Sequence, residues 1–171
     1  GLRELAWKIQ PGIVVTRGAI ETPEQYVPGV PLEGAWESCI TMGTQWQYKP
    51  TNETYKSGGE LIRLLIETRA KGGNLLLNVG PKPDGELPIE QEERLREVAL
   101  WMFINGEAIH GVRPWVITNE GPYWFTKKKD GSALYVIVKT EERWPYGAWR
   151  DITLKSVRAT AATQASVLGQ N

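Results

Sequence analysis

The stretch KSGGELIRLLIETRAKGGNLLLNVGP, residues 56–81, decides the fold class. Ser57 followed by Glu60 forms a capping box, and the apolar residues after it make one wide stripe that ends before Gly72. These features predict a helix from about residue 57 to residue 71. Residues 74–79 then form a near-continuous apolar run without alternation, which is typical of a strand buried on both faces.

Upstream of this stretch the pattern indicates another helix and two more strands. Leu2, Leu5 and Ile9 have helical spacing, and residues 13–16 form a short β-branched run. Residues 17–35 are rich in Pro and Gly and predict a long loop, whereas residues 36–42 resume strand character. Helices alternating with strands indicate an α/β fold with parallel pairing.

Downstream the pattern changes from helical to strand-like. Pro88 is well placed to begin a helix that ends at Gly106. The residues expected to face inward from this helix are Leu95, Val98, Ala99 and Met102. Beyond Pro114 the apolar residues recur with period two, and we therefore expect a domain boundary near residues 112–120, dividing the chain into residues 1–114 and 115–171.

The β-rich part contains a hairpin signal and several strand candidates. Asp130-Gly131 precedes the alternating residues 134–138, and this order predicts a hairpin. Ile152, Leu154 and Val157 resemble a further strand, and residues 165–171 another. Three or four strands make an incomplete antiparallel sandwich segment with little to pack against, so we expect the chain to be a piece of a larger architecture.

Charge and residue counts argue against several classes of function. Twenty basic and twenty acidic residues balance among the 171 residues, which does not favour nucleic acid or an anionic membrane as partner. The single Cys39 excludes a multi-cysteine zinc site, the single His110 argues against a His-rich metal site, and we expect no cofactor.

The aromatic residues are biased towards Trp and Tyr. The chain has eight Trp and six Tyr but only two Phe. Flat rings with a polar atom suit stacking on sugars, although Trp is also ordinary core material. Carbohydrate contact is therefore one interpretation of this composition and core packing is the other.

Trp36-Glu37 is the pair of residues best suited to a catalytic role. A carboxyl group desolvated against an indole has a raised pKa, which suits a general acid near neutral pH. The alternative is a surface Glu37 beside a core Trp36. Arg17 follows the first predicted strand and could bind a hydroxyl or carboxylate, or be a solvated strand-end cation. Residues 74–85 lack the glycine spacing and the Lys-Ser/Thr of a phosphate loop, and Asp84-Gly85 is interpreted as a turn rather than as part of an active face.

A set of motifs, taken together and in order, resembles the retaining α-L-fucosidases of the (β/α)8-like type followed by a β-sandwich. The matching segments are residues 9–17, Trp36-Glu37-Ser38-Cys39, Trp46-Gln47-Tyr48, residues 72–81, Asp84-Gly85 and residues 105–115. The runs Gly-Gly-Asn-Leu-Leu-Leu-Asn and Asn-Gly-Glu-Ala-Ile weigh most. The resemblance implies a partial (β/α)8-like barrel in residues 1–114 and an incomplete β-rich domain in residues 115–171.

The resemblance also implies a two-carboxylate mechanism on a fucosylated glycan or small fucoside. Glu37 matches the acid/base position, Arg17 a sugar-binding arginine, and Trp46 the aromatic wall against the fucose methyl group, with Trp36 counted among the substrate-binding residues. The family's nucleophile lies in an earlier Trp-Phe-Asp-Gly-like motif, which this chain lacks. Gln47 also replaces the glycine usual between the two aromatics.

Three functional hypotheses follow from this resemblance. The chain is part of an enzyme completed by an N-terminal portion, or a non-catalytic carbohydrate-binding or structural remnant, or a small hydrolase that recruits Asp84, Glu86 or a carboxylate of another subunit. A retaining displacement needs two carboxyl groups about 5 to 5.5 Å apart, so we expect the isolated chain to be inactive. We also expect homo-oligomerisation or pairing with an N-terminal half, because about three barrel strands leave unpaired edges.

Overall fold

The computed structural model describes residues 1–15, 20–139, 145 and 147–170. The helices are α1 (Leu2–Ile9), α2 (Gly58–Ala70) and α3 (Ile89–Asn105), and a 3-10 turn spans Gly106–Ala108. The strands are β1 (Glu37–Thr41), β2 (Asn74–Asn78), β3 (Val112–Glu120), β4 (Tyr123–Lys128) and β5 (Leu134–Val138). They form a parallel pair, β1–β2, and a three-stranded antiparallel sheet in the order β3–β4–β5. The chain is therefore mixed α/β.

The capping box predicted from the sequence begins α2. The Ser57 hydroxyl accepts a hydrogen bond from the Glu60 amide at 3.2 Å, and the Glu60 carboxylate accepts one from the Ser57 amide at 2.8 Å. Two orphan amides at the helix start are thereby satisfied. The helix ends at Ala70, and Gly72, with a φ of +88°, turns the chain into β2.

The parallel pairing predicted between the two apolar strands is confirmed. The register aligns Glu37 with Asn74 and Thr41 with Asn78. The expectation that β2 is buried on both faces is wrong, since Leu76 is 48% exposed. Successive side chains of a strand alternate between faces. Leu75 and Leu77, which point the other way, are only half-buried. Helix α2 packs against β2 and shields it on one side.

A strand predicted at residues 13–16 is not found. Residues 13–15 have no strand conformation, and Thr16 lies outside the described residues. The segment that pairs with the free edge of β1 comes instead from the predicted loop: Glu21 and Glu24 bridge it in parallel. The Glu37 amide donates to the Glu21 carbonyl at 3.0 Å, for example. The β-branched character of residues 13–15 does not produce a strand, because pairing with β1 depends on which segment the tertiary fold brings beside it.

Helix α3 begins directly after Pro88, which is its N-cap rather than its predicted first residue, and the helix ends before Gly106, as predicted. Leu95, Val98 and Met102 are half-buried, but Ala99 is exposed, so its expected inward position is wrong. The predicted stripe of α3 does not coincide with its most buried residue, which is the polar Gln91.

The antiparallel sheet confirms the predicted hairpin. Strands β4 and β5 pair from Tyr123↔Val138 to Lys127↔Leu134, and the Asp130 carboxylate accepts a hydrogen bond from the Ser132 amide in the turn. Three consecutive residues of β4 are buried, namely Trp124, Phe125 and Thr126. Strand β3, the first strand of this antiparallel sheet, starts at Val112. The division of the chain at residue 114 stays a prediction.

The strands expected at Ile152 to Val157 and at residues 165–171 are not present in the described residues up to 170. The first of these segments is held instead by side-chain chemistry, because the Glu120 carboxylate accepts hydrogen bonds from the Lys155 and Ser156 amides. Leu168 packs on the cluster of Ala108, Val112 and Tyr135. The alternation of apolar residues predicted that these segments pair as strands. The structure instead holds them by the Glu120 hydrogen bonds and by the packing of Leu168.

The two sheets are joined through α2. Ile66 and Ala70 of this helix pack with Trp124 of β4. Beside them Glu67 binds Lys71 at 2.6 Å and also Lys139, and both ammonium groups lie over the Trp124 ring. Burial raises the pKa of the Glu67 carboxyl, but the hydrogen bonds from the two lysines outweigh it and hold that pKa below its ordinary value. Within the described residues no helix is long and apolar enough to cross a membrane.

Candidate functional site

Glu37 is the first residue of β1 and its side chain is half-buried. Strand alternation places it on the face that also carries Cys39 and Thr41, opposite the buried Ser38 and Ile40. It is the only carboxylate on β1 and β2. An acid/base group on this face is therefore accessible without a second carboxylate beside it on the two strands.

Asn74 is the register partner of Glu37 on β2 and shares its face. The Arg69 guanidinium donates to the Asn74 side-chain oxygen at 3.3 Å and to the Ile109 carbonyl at 3.2 Å. Because Arg69 occupies the amide oxygen, the amide nitrogen of Asn74 is left as the group that can donate elsewhere. The face around Glu37 thus combines a carboxylate with an oriented amide donor.

Trp36 is completely buried. Its ring packs against Gly73, where an added Cβ would lie 2.5 Å from three ring atoms. The buried indole offers no surface to a sugar in this structure, and its assignment as a substrate contact stays a prediction. Its observed role is packing next to Glu37, which matches the core alternative weighed for this tryptophan.

Trp46 lies at the other end of β1, in the loop of residues 43–56, and is 39% exposed. Along β1, Glu37 and Thr41 are four residue steps of about 3.3 Å apart, which amounts to roughly 13 Å. The loop is fixed to the end of β2: a Cβ on Gly80 would lie 2.7 Å from the Tyr48 amide nitrogen. Only glycine permits this approach of two backbones.

The loop that carries Trp46 is also ordered internally by Glu53. The Glu53 carboxylate accepts hydrogen bonds from the Thr44 amide at 2.9 Å, the Thr44 hydroxyl at 2.8 Å and the Thr54 amide at 2.8 Å. Burial raises the pKa of Glu53, but these hydrogen bonds prevail and hold it below its ordinary value. Glu53 is therefore an ionised structural residue of the loop.

Asp84 and Glu86, the alternative carboxylates, do not join Glu37. Asp84 lies in an exposed turn, where its carboxylate accepts from the Glu86 amide at 3.0 Å and pairs with Lys82 at 3.4 Å. These residues follow the carboxyl end of β2, whereas Glu37 lies at the amino end of β1. Arg17 lies outside the described residues.

No group of three or more His, Cys, Asp or Glu side chains that could hold a metal ion occurs in the described parts of the chain. Sequence reasoning missed Asn74 as a partner of Glu37, as well as the supporting roles of Arg69 and Gly80. Asn74 belongs to the segment of residues 56–81 that predicted the fold class, but its pairing with Glu37 depends on strand register. No local signal supplies that register.

Comparison with known proteins relates this chain to a family of glycoside hydrolases. A family profile described as Alpha-L-fucosidase matches residues 7–107. An alpha-L-fucosidase of Branchiostoma floridae is 36% identical over 152 residues, covering 85% of this chain and 32% of that protein. The plasma alpha-L-fucosidase of Homo sapiens is 35% identical over 141 residues, covering 78% of this chain and 30% of that protein.

A solved structure agrees with these relatives. The alpha-L-fucosidase of Vibrio sp. strain EJY3 has a TM-score of 0.72 at 26% identity and covers 82% of this chain and 27% of its own. The chain belongs to the alpha-L-fucosidase family, glycoside hydrolase family 29, and this confirms the resemblance found in the sequence. It spans about a third of the length of the curated relatives it matches.

Proposed function

We propose that this chain is part of an enzyme that hydrolyses terminal α-L-fucosyl residues by a retaining double displacement, with Glu37 as acid/base. The observation that carries the proposal is the half-buried Glu37, the one carboxylate on β1 and β2, beside the oriented amide of its register partner Asn74. In the first step Glu37 gives its proton to the leaving glycosidic oxygen, and in the second it takes a proton from water. The nucleophile comes from outside this sequence.

We assign substrate binding to Arg17 and Trp46. The buried Trp36 supports Glu37 by packing next to it. Arg17 hydrogen-bonds a fucose hydroxyl, and the indole of Trp46 contacts the methyl group. Support comes from the partial exposure of Trp46 and from the Gly80 contact that fixes its loop. The substrate is a fucosylated glycan or small fucoside, in line with the family.

The proposed architecture is the closing portion of a (β/α)8-like barrel in residues 1–114, followed by β-rich residues 115–171. The parallel pair, the strand-like segment beside β1 and the packing of α2 against β2 support it. We also propose that this unit acts together with another chain or segment, either a copy of itself or an N-terminal half carrying the nucleophile. The 48% exposure of Leu76 on β2 favours such a cover.

The test uses the longer protein that contains this sequence, or this chain mixed with a separately made N-terminal half. Glu37→Gln is expected to lower kcat/KM on an unactivated fucoside by about 10²- to 10⁴-fold, since general acid catalysis contributes that much. On an aryl fucoside with a good leaving group, fucosyl-enzyme formation should proceed, because such a group needs no proton.

Glu33→Gln is the matched control, since Glu33 is an exposed glutamate of the loop before β1. It should leave both substrates unaffected. Full activity of Glu37→Gln on the unactivated fucoside would overturn the acid/base assignment. Activity of the unmixed 171-residue chain would overturn the claim that the nucleophile comes from elsewhere.

A further inference from the structure

Helix α3 carries a short apolar patch on its exposed face. Phe103 is 91% exposed and Leu100 is 70% exposed. Residues three positions apart on a helix are neighbours, so the two side chains form one surface. Ile104 adjoins them and is 50% exposed, with Gly169 packed against it. We call Leu100, Phe103 and Ile104 the α3 patch.

The α3 patch differs from the scattered apolar exposure of an ordinary surface. The opposite face of α3 already packs on the molecule through Gln91, Leu95, Val98 and Met102, which are buried or half-buried. Single exposed apolar residues need no explanation, whereas contiguous ones mark a surface of interaction. Phenylalanine is also enriched in the buried centres of protein interfaces.

Charged residues stand at equal distances on either side of the exposed Leu-Phe pair of this patch. Arg96 lies four residues upstream of the pair and Glu107 four residues downstream. Glu93 and His110 lie seven residues upstream and seven downstream. All four side chains are exposed, and the 3-10 turn that contains Glu107 follows α3 directly.

This order of charges is self-complementary. When two copies of α3 pack antiparallel about a two-fold axis, the patch of one copy faces the patch of the other. Each upstream charge then faces the downstream charge at the same distance, so that Arg96 faces Glu107 and Glu93 faces His110. We propose that the α3 patch is a two-fold interface between two copies of this chain.

The flanking charges keep the capacity to bind across such an interface. Arg96 donates to the Glu92 carboxylate at 3.1 Å and its side chain is still 72% exposed. Glu107 accepts a hydrogen bond from the Tyr135 hydroxyl at 2.6 Å, and a carboxylate has room for further donors. Exposed ion pairs contribute little affinity, so they fix the antiparallel register while burial of the patch drives association.

The size of the α3 patch sets the strength of this association. Three partly exposed side chains per copy bury less than the roughly 1,600 Å² of a standard protein interface. Interfaces below about 1,200 Å² belong to weak or transient complexes. We therefore expect a dissociation constant of about 10 to 100 µM.

The dimer goes beyond the proposed function and does not rest on it. The α3 patch is distinct from Leu76 of β2, whose exposure favours cover by a copy or by an N-terminal half. Association is measured without substrate and needs neither Glu37 nor a nucleophile. A failure of the dimer and a failure of the hydrolase proposal are therefore distinguishable.

The first test is sedimentation equilibrium of the longer protein that contains this sequence, from about 1 to 500 µM. Phe103→Lys should weaken dimerisation at least about tenfold, because the two-fold axis removes the ring twice and buries two ammonium groups. Val116→Lys is the matched control, since Val116 is 81% exposed on β3, outside the patch, and the variant gains the same charge. It should associate as the unchanged protein does.

The second test exchanges charges to probe the register. His110→Glu places glutamates opposite each other and should weaken dimerisation severalfold, whereas Glu93→Lys combined with His110→Glu should restore it. A protein that stays monomeric over this range, as when an upstream segment covers the patch, would overturn the proposal. So would association that Phe103→Lys leaves unchanged, equal losses in Phe103→Lys and Val116→Lys, or a double variant that does not recover.

Discussion

The two sheets of this chain differ in how completely they are covered. In the antiparallel sheet, three consecutive residues of the central β4 are buried, so both of its faces are packed. In the parallel pair, β1 buries Ser38 and Ile40 on one face, while Glu37 and Leu76 lie on a face that is partly open. The antiparallel sheet contributes stability. The open face of the parallel pair presents the side chains that could take part in catalysis.

This difference also shows what an apolar run means. Leu75-Leu76-Leu77 is more apolar than Trp124-Phe125-Thr126, yet the latter is the better buried. A run of leucines shows that a strand would be stabilised by burial. Whether the strand is buried depends on which elements pack on it. The expected two-sided burial of β2 failed for that reason.

The largest loss of stability should come from adding a methyl group at Gly73, where the backbone packs on the Trp36 ring. Gly73→Ala places a Cβ 2.5 Å from three atoms of the fully buried Trp36 ring, and it should destabilise the protein by about 3 kcal/mol. Urea denaturation measures the change. Gly29→Ala is the control, since no atom lies within 4 Å of its Cβ position.

Hydrogen exchange on Gly73→Ala sharpens the comparison of the two sheets. If amides of β1 and β2 lose protection while those of β4 and β5 keep it, the sheets unfold separately. Equal loss in both sheets would show that α2 couples them into one cooperative unit. A variant as stable as the control would contradict the packing described for Trp36.

The junction between the sheets should give an intermediate effect. Glu67→Gln weakens the bonds to Lys71 and Lys139 beside Trp124 and should cost about 2 kcal/mol at neutral pH. Because the folded pKa of Glu67 is lowered, its contribution is present above the unfolded pKa and is lost as pH falls through the folded pKa.

Stability measured from neutral to acidic pH checks this prediction, and Glu67→Gln should show a shallower loss on acidification. The control is Glu92→Gln, whose exposed pair with Arg96 at 3.1 Å should contribute less than about 0.5 kcal/mol. Similar losses in both variants would contradict the claim that the Glu67 cluster is the stronger link.

The smallest effect concerns the closed sheet. Tyr135 donates to the Glu107 carboxylate at 2.6 Å, and burial together with that carboxylate raises the pKa of Tyr135 from 10.0 to about 12. Tyr135→Phe should cost about 1 kcal/mol at neutral pH. Since the raised pKa favours the protonated phenol, this stability is complete below pH 10 and lost as pH rises towards 12.

Denaturation at alkaline pH tests this assignment, with Tyr26→Phe as the control at an exposed tyrosine. The Tyr135→Phe protein should lose less stability than the parent as pH rises from 10 to 12. Parallel curves for parent and variant would show that Tyr135 titrates normally.

The sequence by itself determined the local elements and the family of this protein. The Ser57 and Glu60 capping box, the glycine after α2 and the hairpin at Asp130 depend on residues a few positions apart, and each was found as predicted. The motif runs were sufficient for the family because they are specific in order and spacing. Short-range hydrogen bonds and backbone preferences are readable without a fold.

Only the tertiary structure decided which elements meet. The Glu37 and Asn74 register, the pairing of Glu21 with β1 and the exposure of Leu76 all join or separate residues distant along the chain. The failed strands at residues 13–15 and Ile152 to Val157 had suitable local patterns but no ladder partner. Backbone pairing and burial are relations between segments, and the energy of each depends on the neighbour that packing brings to it.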